Sequence, residues 1–327
     1  MPMREFEMGP ATRDAYGDAL CELGAEDPRI VALDADLSKS TKSGKFGKKF
    51  PDRYWNIGIQ EANLVGMACG LANSGRIPFI SSFAVFIMAK GFDQLRMNVA
   101  FAGEQNVKVV GSHGGVSIGE DGPSQMGIED VALACLLPGF TVCVPADAVA
   151  ARAVTRLAAG HPGPVYLRTG RPKVPLIYRE GERFAFGKAK VHGTGGDVAI
   201  VANGLLVAEA LRAADLLREE GIEATVLDMH TVKPLDEEAL VRAAGECGAV
   251  VTAEEHLVHG ALGSAVAQCL GRRHPVPMEF VGLQDTYAES GTPQQLLDRY
   301  RLTHRFIADA ARRAAARKSG HGAAAAR

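Results

Sequence analysis

"WNIGIQEANLVGMACGLA" (55–72) passes from an extended apolar end, through a glycine-containing turn, into a segment that is apolar almost all round. Strand, turn and buried helix in that succession form the unit from which parallel sheets are built. The helix carries a single acid in its first turn, Glu61. The same unit recurs on both sides. "RIVALD" (29–34), "RIPFISSF" (76–83), "NVKVVGS" (106–112), "FTVCVP" (140–145) and "GPVYLRT" (163–169) are short strand-like runs. Helical patterns near 11–24, 60–74, 84–102, 128–136 and 147–160 alternate with them. The alternation predicts an α/β fold, a mainly parallel β-sheet with helices on both faces.

The pattern breaks at "YREGERFAFGKAKVHGTGGD" (178–197), which is polar, glycine-rich and poor in helical period. A second α/β set follows it, with strands at 198–204, 223–231, 249–255 and 277–282 and helices at 205–220, 236–247 and 260–271. Two further helical stretches close the chain from about 293. Two domains are therefore predicted, 1–190 and 191–312, each a mainly parallel sheet with helices on both faces. The remainder, 313–327, is low-complexity and predicted to be disordered. A length of 327 residues is too great for one ordinary core and fits two such domains.

Composition narrows the function. Charged residues make up 23% and hydrophobic ones 47%, the balance of a soluble globular protein. Net charge is −2 with no long basic block in the body, which argues against nucleic acid and anionic membrane as partners. Six cysteines never form a C-x-x-C pair, so reduced thiols in a cytoplasmic protein are expected rather than disulfides or a zinc site. The N-terminal stretch lacks an apolar signal region, and no run approaches the ~20 apolar residues that cross a bilayer.

In open parallel sheets, ligands sit on loops leaving the carboxyl ends of strands. Three such loops are chemically unusual: "DADLSKST" (34–41), "NIGIQEAN" (56–63) and "SHGGVSIGEDGPSQM" (112–126). The third places His113, Glu120 and Asp121 within nine residues, although Gly-Glu-Asp-Gly would also serve as a plain turn. The chain lacks a G-x-x-x-x-G-K-[ST] phosphate loop, a dinucleotide fingerprint, a G-x-S-x-G elbow, an H-E-x-x-H motif and a Cys/His metal cluster. It therefore has reactive loops without a diphosphate grip and without a metal site of its own, half of an active site.

Those loops, in that order, resemble the transketolase family of thiamine diphosphate enzymes. The matching stretches are "NIGIQEANLVGMACGLA", "PFISSFAVFIMAKGFDQLRM", "GSHGGVSIGEDGPSQMGIEDVAL" and "VYLRTGRP", with "LDMHTVKPLD" and "TAEEHLVHGALGSAVA" in the second half. The resemblance spans roughly residues 10 to 310. It implies a pyrimidine-binding domain followed by the family's C-terminal domain. The diphosphate-binding domain that holds Mg²⁺ or Ca²⁺ in full-length members has no counterpart here. The expectation is the second subunit of a split transketolase, working with a separate N-terminal, diphosphate-binding subunit in a dimer of heterodimers.

By the same resemblance, Glu61 hydrogen-bonds N1′ of the cofactor's aminopyrimidine, where a proton must be held for the cofactor to act as its own base. An apolar helix around a lone carboxyl favours holding a proton near neutral pH. Without the resemblance, Glu61 would read as a helix-dipole partner worth ~0.3–1 kcal/mol. Phe83 and Phe86 match aromatics of the pyrimidine pocket, one of which stacks on the ring; their spacing is also ordinary helix-core spacing. Asp36 lies on the loop approaching the thiazolium side. Gln125 matches a position facing the 4′-amino group or the substrate, where many members carry His. His113 matches a histidine near the sugar's C1 hydroxyl and carbonyl, and Asp121 an aspartate contacting the C2 hydroxyl of the acceptor. Ser40 and Arg171 match the serine and arginine that grip a sugar's terminal phosphate. Lys39 and Lys42 either add positive field there or form a solvated loop, and Arg168 is a candidate structural ion pair. The reaction implied is transfer of a two-carbon ketol unit between sugar phosphates. The rivals are the beta subunit of a 2-oxo acid dehydrogenase, deoxyxylulose phosphate synthase (ordinarily a longer chain), a non-catalytic regulatory homologue and a flavodoxin-like binding protein.

Overall fold

The computed structural model describes residues 3–324, with side chains described as far as 318. Its strands in chain order begin with β1 (Met8–Ala11), β2 (Ile30–Asp34), β3 (Tyr54–Asn56), β4 (Ile77–Phe83), β5 (Lys108–Ser112), β6 (Thr141–Cys143) and β7 (Val165–Arg168). Then follow β8 (Lys173–Pro175), β9 (Lys190–His192), β10 (Val198–Ala202), β11 (Ala224–Asp228), β12 (Thr231–Lys233), β13 (Val250–Leu257) and β14 (Met278–Leu283). The larger sheet has the order β12-β6-β7-β5-β4-β2-β3, and all its pairings are parallel except β12 with β6. The smaller has the order β14-β13-β10-β11-β9, parallel except at its β9 edge. β1 and β8 form a short antiparallel clasp. The fold is α/β throughout.

Every residue of β2, β4 and β5 is buried, because helices cover both faces and neither face needs polar side chains. One face packs Tyr16 and Leu20 of helix Thr12–Glu26, with Phe46 and Val154, against Ile30, Phe79 and Leu167. The other packs Leu64 and Val65 of helix Glu61–Asn73, with Ile87 and Val99, against Val31, Leu33 and Ile80. The parallel register sets the strand ends side by side. Phe83 at the end of β4 pairs with Ser112 at the end of β5, and Asp34 of β2 pairs with both Ser81 and Asn56. The three loops singled out in the sequence thus leave one edge of one sheet, the edge where ligands bind in such folds.

Two features depart from the sequence expectation. β12 lies well past residue 190, yet it pairs with β6 and completes the edge of the first sheet. The 313–327 segment is not a disordered tail over its described part, because helix His304–Ala324 continues through it. Ala314 is fully buried there, and Arg313 and Arg317 both pair with Glu279 of β14, at 3.1 and 2.9 Å. Alanine is the strongest helix former, and its small side chain lets the helix lie close on the sheet. Residues 325–327 of that segment lie outside the described residues. Among the described residues no helix is long and apolar enough to cross a membrane. All six cysteines are free thiols.

Candidate active site

Glu61 is the first residue of helix Glu61–Asn73, and it is only 2% exposed. Ser82 Oγ donates to Glu61 Oε1 at 3.1 Å, and Lys90 Nζ stands 3.9 Å from Oε2. Lys90 itself is more than half exposed and also sits 4.7 Å over the Phe86 ring. Phe83 and Phe86 stack with centroids 5.5 Å apart and ring planes 16° apart. Phe83 stacks in turn on His113, at 3.8 Å and 22°. Phe83 is buried between its ring neighbours, whereas Phe86 is half-buried and keeps part of its surface free. A buried carboxylate, an aromatic surface and a cation thus meet at the mouth of one helix.

His113 continues this row. It is 2% exposed and held at φ 61°, in the left-handed region that a non-glycine residue rarely occupies without a constraint. Arg13 Nη1 lies 3.2 Å from Nε2, and Ser112 Oγ lies 2.8 Å from Nδ1. A guanidinium can only donate, so Nε2 accepts and Nδ1 carries the proton. Burial, together with Arg13, Arg171 and Lys42, lowers the His113 pKa to about 3. The imidazole is therefore neutral across the physiological range. As pH falls through the ordinary value near 6.5, the unfolded chain takes up a proton that the folded chain refuses. Stability is then lost at about 1.4 kcal/mol per pH unit until about 3. His113→Asn should lose about 2 kcal/mol less than the parent between pH 6.5 and 5, measured by denaturant titration at each pH.

Arg13 was not legible as a site residue, since a lone arginine opening a helix reads as surface. Its Nη1 also donates to the Ser40 carbonyl at 3.1 Å, and burial lowers its pKa against the pull of Asp14. Ser40, Arg13 and His113 therefore form one group, with Asp121 and Arg171 acting on Arg13 through charge. Arg171 donates to Glu120 at 2.9 Å and to the Ile118 carbonyl. Asp121 is exposed, and Gln125 is half-buried at the end of the short 3₁₀ turn Pro123–Gln125. Lys42 is held 3.3 Å from Asp14, while Lys39 is exposed.

Asp36 stands apart from this group. Its exposed side chain accepts from Asn56 Nδ2 at 2.7 Å, and its φ of 64° turns the chain. The carboxylate that builds the 34–41 loop is Asp34, fully buried, accepting from Leu37 N at 2.5 Å, Thr41 Oγ1 at 2.6 Å and Ser43 Oγ at 2.8 Å. Burial raises its pKa against those three bonds. Asp directly after an apolar strand, with hydroxyls seven and nine residues on, was the overlooked signal. Arg168 lies beneath the site as a buried ion pair, its Nε 3.1 Å from Asp130, and Asp130 also accepts from Tyr166 at 2.6 Å. Among the described residues no cluster of three His, Cys, Asp or Glu side chains is placed to hold a metal.

The family model for the transketolase pyrimidine-binding domain matches residues 8–176, and that for the transketolase C-terminal domain matches 187–307. The chain belongs to the transketolase family. A 6-deoxy-6-sulfo-D-fructose transketolase subunit SqwH from Clostridium sp. (strain MSTE9) is 45% identical, over 94% of this chain and 95% of that one. Human transketolase is 41% identical over 92% of this chain, which spans 48% of it. Among solved structures, a split-gene transketolase described as an inactive beta4 tetramer superposes with a TM-score of 0.88 at 49% identity, covering 94% of this chain and 99% of that one. Thiamine diphosphate use goes with membership of the transketolase family.

Proposed function

We propose that this chain is the C-terminal, pyrimidine-binding subunit of a split transketolase, moving a two-carbon ketol unit between sugars with a separate diphosphate-binding subunit. The observation that carries the reading is Glu61, a carboxylate 2% exposed, oriented by Ser82 and linked to the Phe86 ring through Lys90. A flat heteroaromatic ring with a protonatable nitrogen fits that setting, presenting its face to Phe86 and its nitrogen to Glu61. When bound, thiamine diphosphate supplies the chemistry at the ketose carbonyl, with its Mg²⁺ or Ca²⁺ held by the partner subunit. Glu61 holds the proton at N1′, and the apolar helix keeps water from competing for it. Asp36 would lie toward the thiazolium side of the bound cofactor, and Gln125 toward its 4′-amino group or the substrate.

Arg13, Arg171 and Lys42, which surround His113, set the substrate end. Their combined positive field suits an anion better than the neutral C1 carbonyl that the resemblance assigns to His113. We therefore place the terminal phosphate of the sugar against Arg13, Arg171, Ser40 and His113, with Asp121 on a hydroxyl of the acceptor. A sulfonate is the alternative anion, favoured by the sulfofructose named for the Clostridium relative. The pyrimidine and diphosphate grips belong to different chains, so the working assembly is a dimer of heterodimers. The inactive beta4 tetramer of the split-gene relative supports that dependence on a partner. Free thiols throughout suit the cytoplasm.

Mixed with its diphosphate-binding partner, thiamine diphosphate and Mg²⁺, the chain is expected to transfer from xylulose 5-phosphate or 6-deoxy-6-sulfofructose to an aldose phosphate. Neither subunit should do so alone. A mixed complex that binds the cofactor yet transfers from no phosphorylated or sulfonated ketose would sink the reading.

A further inference from the structure

The end of β13 reaches out of the second domain into the loop that carries His113 and Asp121. Glu255 is only 6% exposed, and its Oε1 accepts from the Ser117 backbone N–H at 2.5 Å. Its own carbonyl accepts from Arg168 Nη2 at 2.9 Å, and the same Nη2 reaches the Gly127 carbonyl. One residue further, His256 Nε2 accepts from Ala132 N at 3.3 Å, and Leu257 N donates to the Ile128 carbonyl at 3.0 Å. Gly115 is shaped around this contact. It has φ +84°, and a Cβ there would lie 2.2 Å from the Glu255 carboxyl carbon. The other side of the loop base is closed by Gly115 N donating to the Gly127 carbonyl at 2.6 Å.

We propose that Glu255 is a positioning residue, the second domain's hold on the 112–126 loop, which fixes where His113 and Asp121 stand and so sets acceptance of the sugar. It touches neither cofactor nor substrate and acts through the Ser117 and Val116 backbone. A buried carboxylate is tolerated there because Arg168 balances its charge. The kinetic half of this inference rests on the proposed ketol transfer; the structural half does not.

The test has two readouts. In the free chain, without cofactor or substrate, Glu255→Ala should speed hydrogen exchange of the 114–122 amides by roughly tenfold or more and leave β10 and β11 unchanged. Glu255→Gln keeps an acceptor for Ser117 N and should restore most of the protection. In the reconstituted enzyme, Glu255→Ala should raise KM for the sugar by roughly tenfold with a smaller change in kcat. If Glu255→Ala fails to fold, Gly115→Ala presses on the same carboxyl from the other side and should loosen the same amides. Unchanged exchange in the loop overturns the hold. Loosened exchange with unchanged KM overturns its role in sugar acceptance. Inactivity of the parent mixture would fault the proposed function and leave the exchange result standing.

Discussion

Replacing Glu61 with alanine is expected to lower ketol transfer by the reconstituted enzyme at least about 100-fold, the usual worth of a positioned acid or base. On the proposed reading the Glu61 carboxylate holds the proton at N1′, and Ser82, its donor, cannot take over that role. Glu61→Gln should fare little better, because an amide occupies the volume without exchanging a proton. The same substitutions should leave stability equal or higher. A carboxylate 2% exposed is costly to desolvate, and Lys90, its cation, is exposed enough to return to water when the acid is removed. Circular dichroism and denaturant titration of Glu61→Ala, read beside the transfer assay, separate the two effects. A variant that is inactive because it is unfolded would remove the support for a catalytic carboxylate.

The second large effect is on folding. Arg168→Met should destabilise the chain by about 3–5 kcal/mol, the usual result of leaving one half of a buried ion pair alone. Asp130 is 1% exposed and would keep only the Tyr166 hydroxyl, while the Gly127 and Glu255 carbonyls lose their shared donor. Removing both partners, as Arg168→Met with Asp130→Leu, should recover part of the loss, since Asp130 is then no longer stranded, though Glu255 still loses the charge of Arg168. The comparison needs a fixed protomer concentration, because assembly adds to apparent stability. A single variant as stable as its parent would show that the pair contributes nothing and that the carbonyl contacts are replaceable.

Long buried strands were legible because both faces are covered and the side chains form continuous apolar runs. "IVALD" and "IPFISSF" needed no partner to be recognised. β1, β3, β8, β9 and β12 were missed or blurred, being three or four residues long and existing only through the strand beside them. Glu61 stood out as an acid in an apolar helix, a local conflict of the kind that draws notice, but only the resemblance of the surrounding loops raised it above a helix-dipole partner. Arg13 and Asp34 conflict with nothing locally. Their roles arise from residues 27 and 100 positions away for Arg13, and from hydroxyls across a turn for Asp34. The alanine-rich end was misread for the opposite reason, since low complexity also describes a helix of small residues pressed against a sheet.

The antiparallel pairing of β12 with β6 bears on how far this chain is modular. Cut in its polar connector at 178–197, the first half would lose Thr231–Lys233 and expose the β6 edge, an unpaired strand open to any passing chain. The second half would carry away a strand with no sheet to join. In grafts or recombinants between related enzymes, the two halves should therefore travel as a single piece.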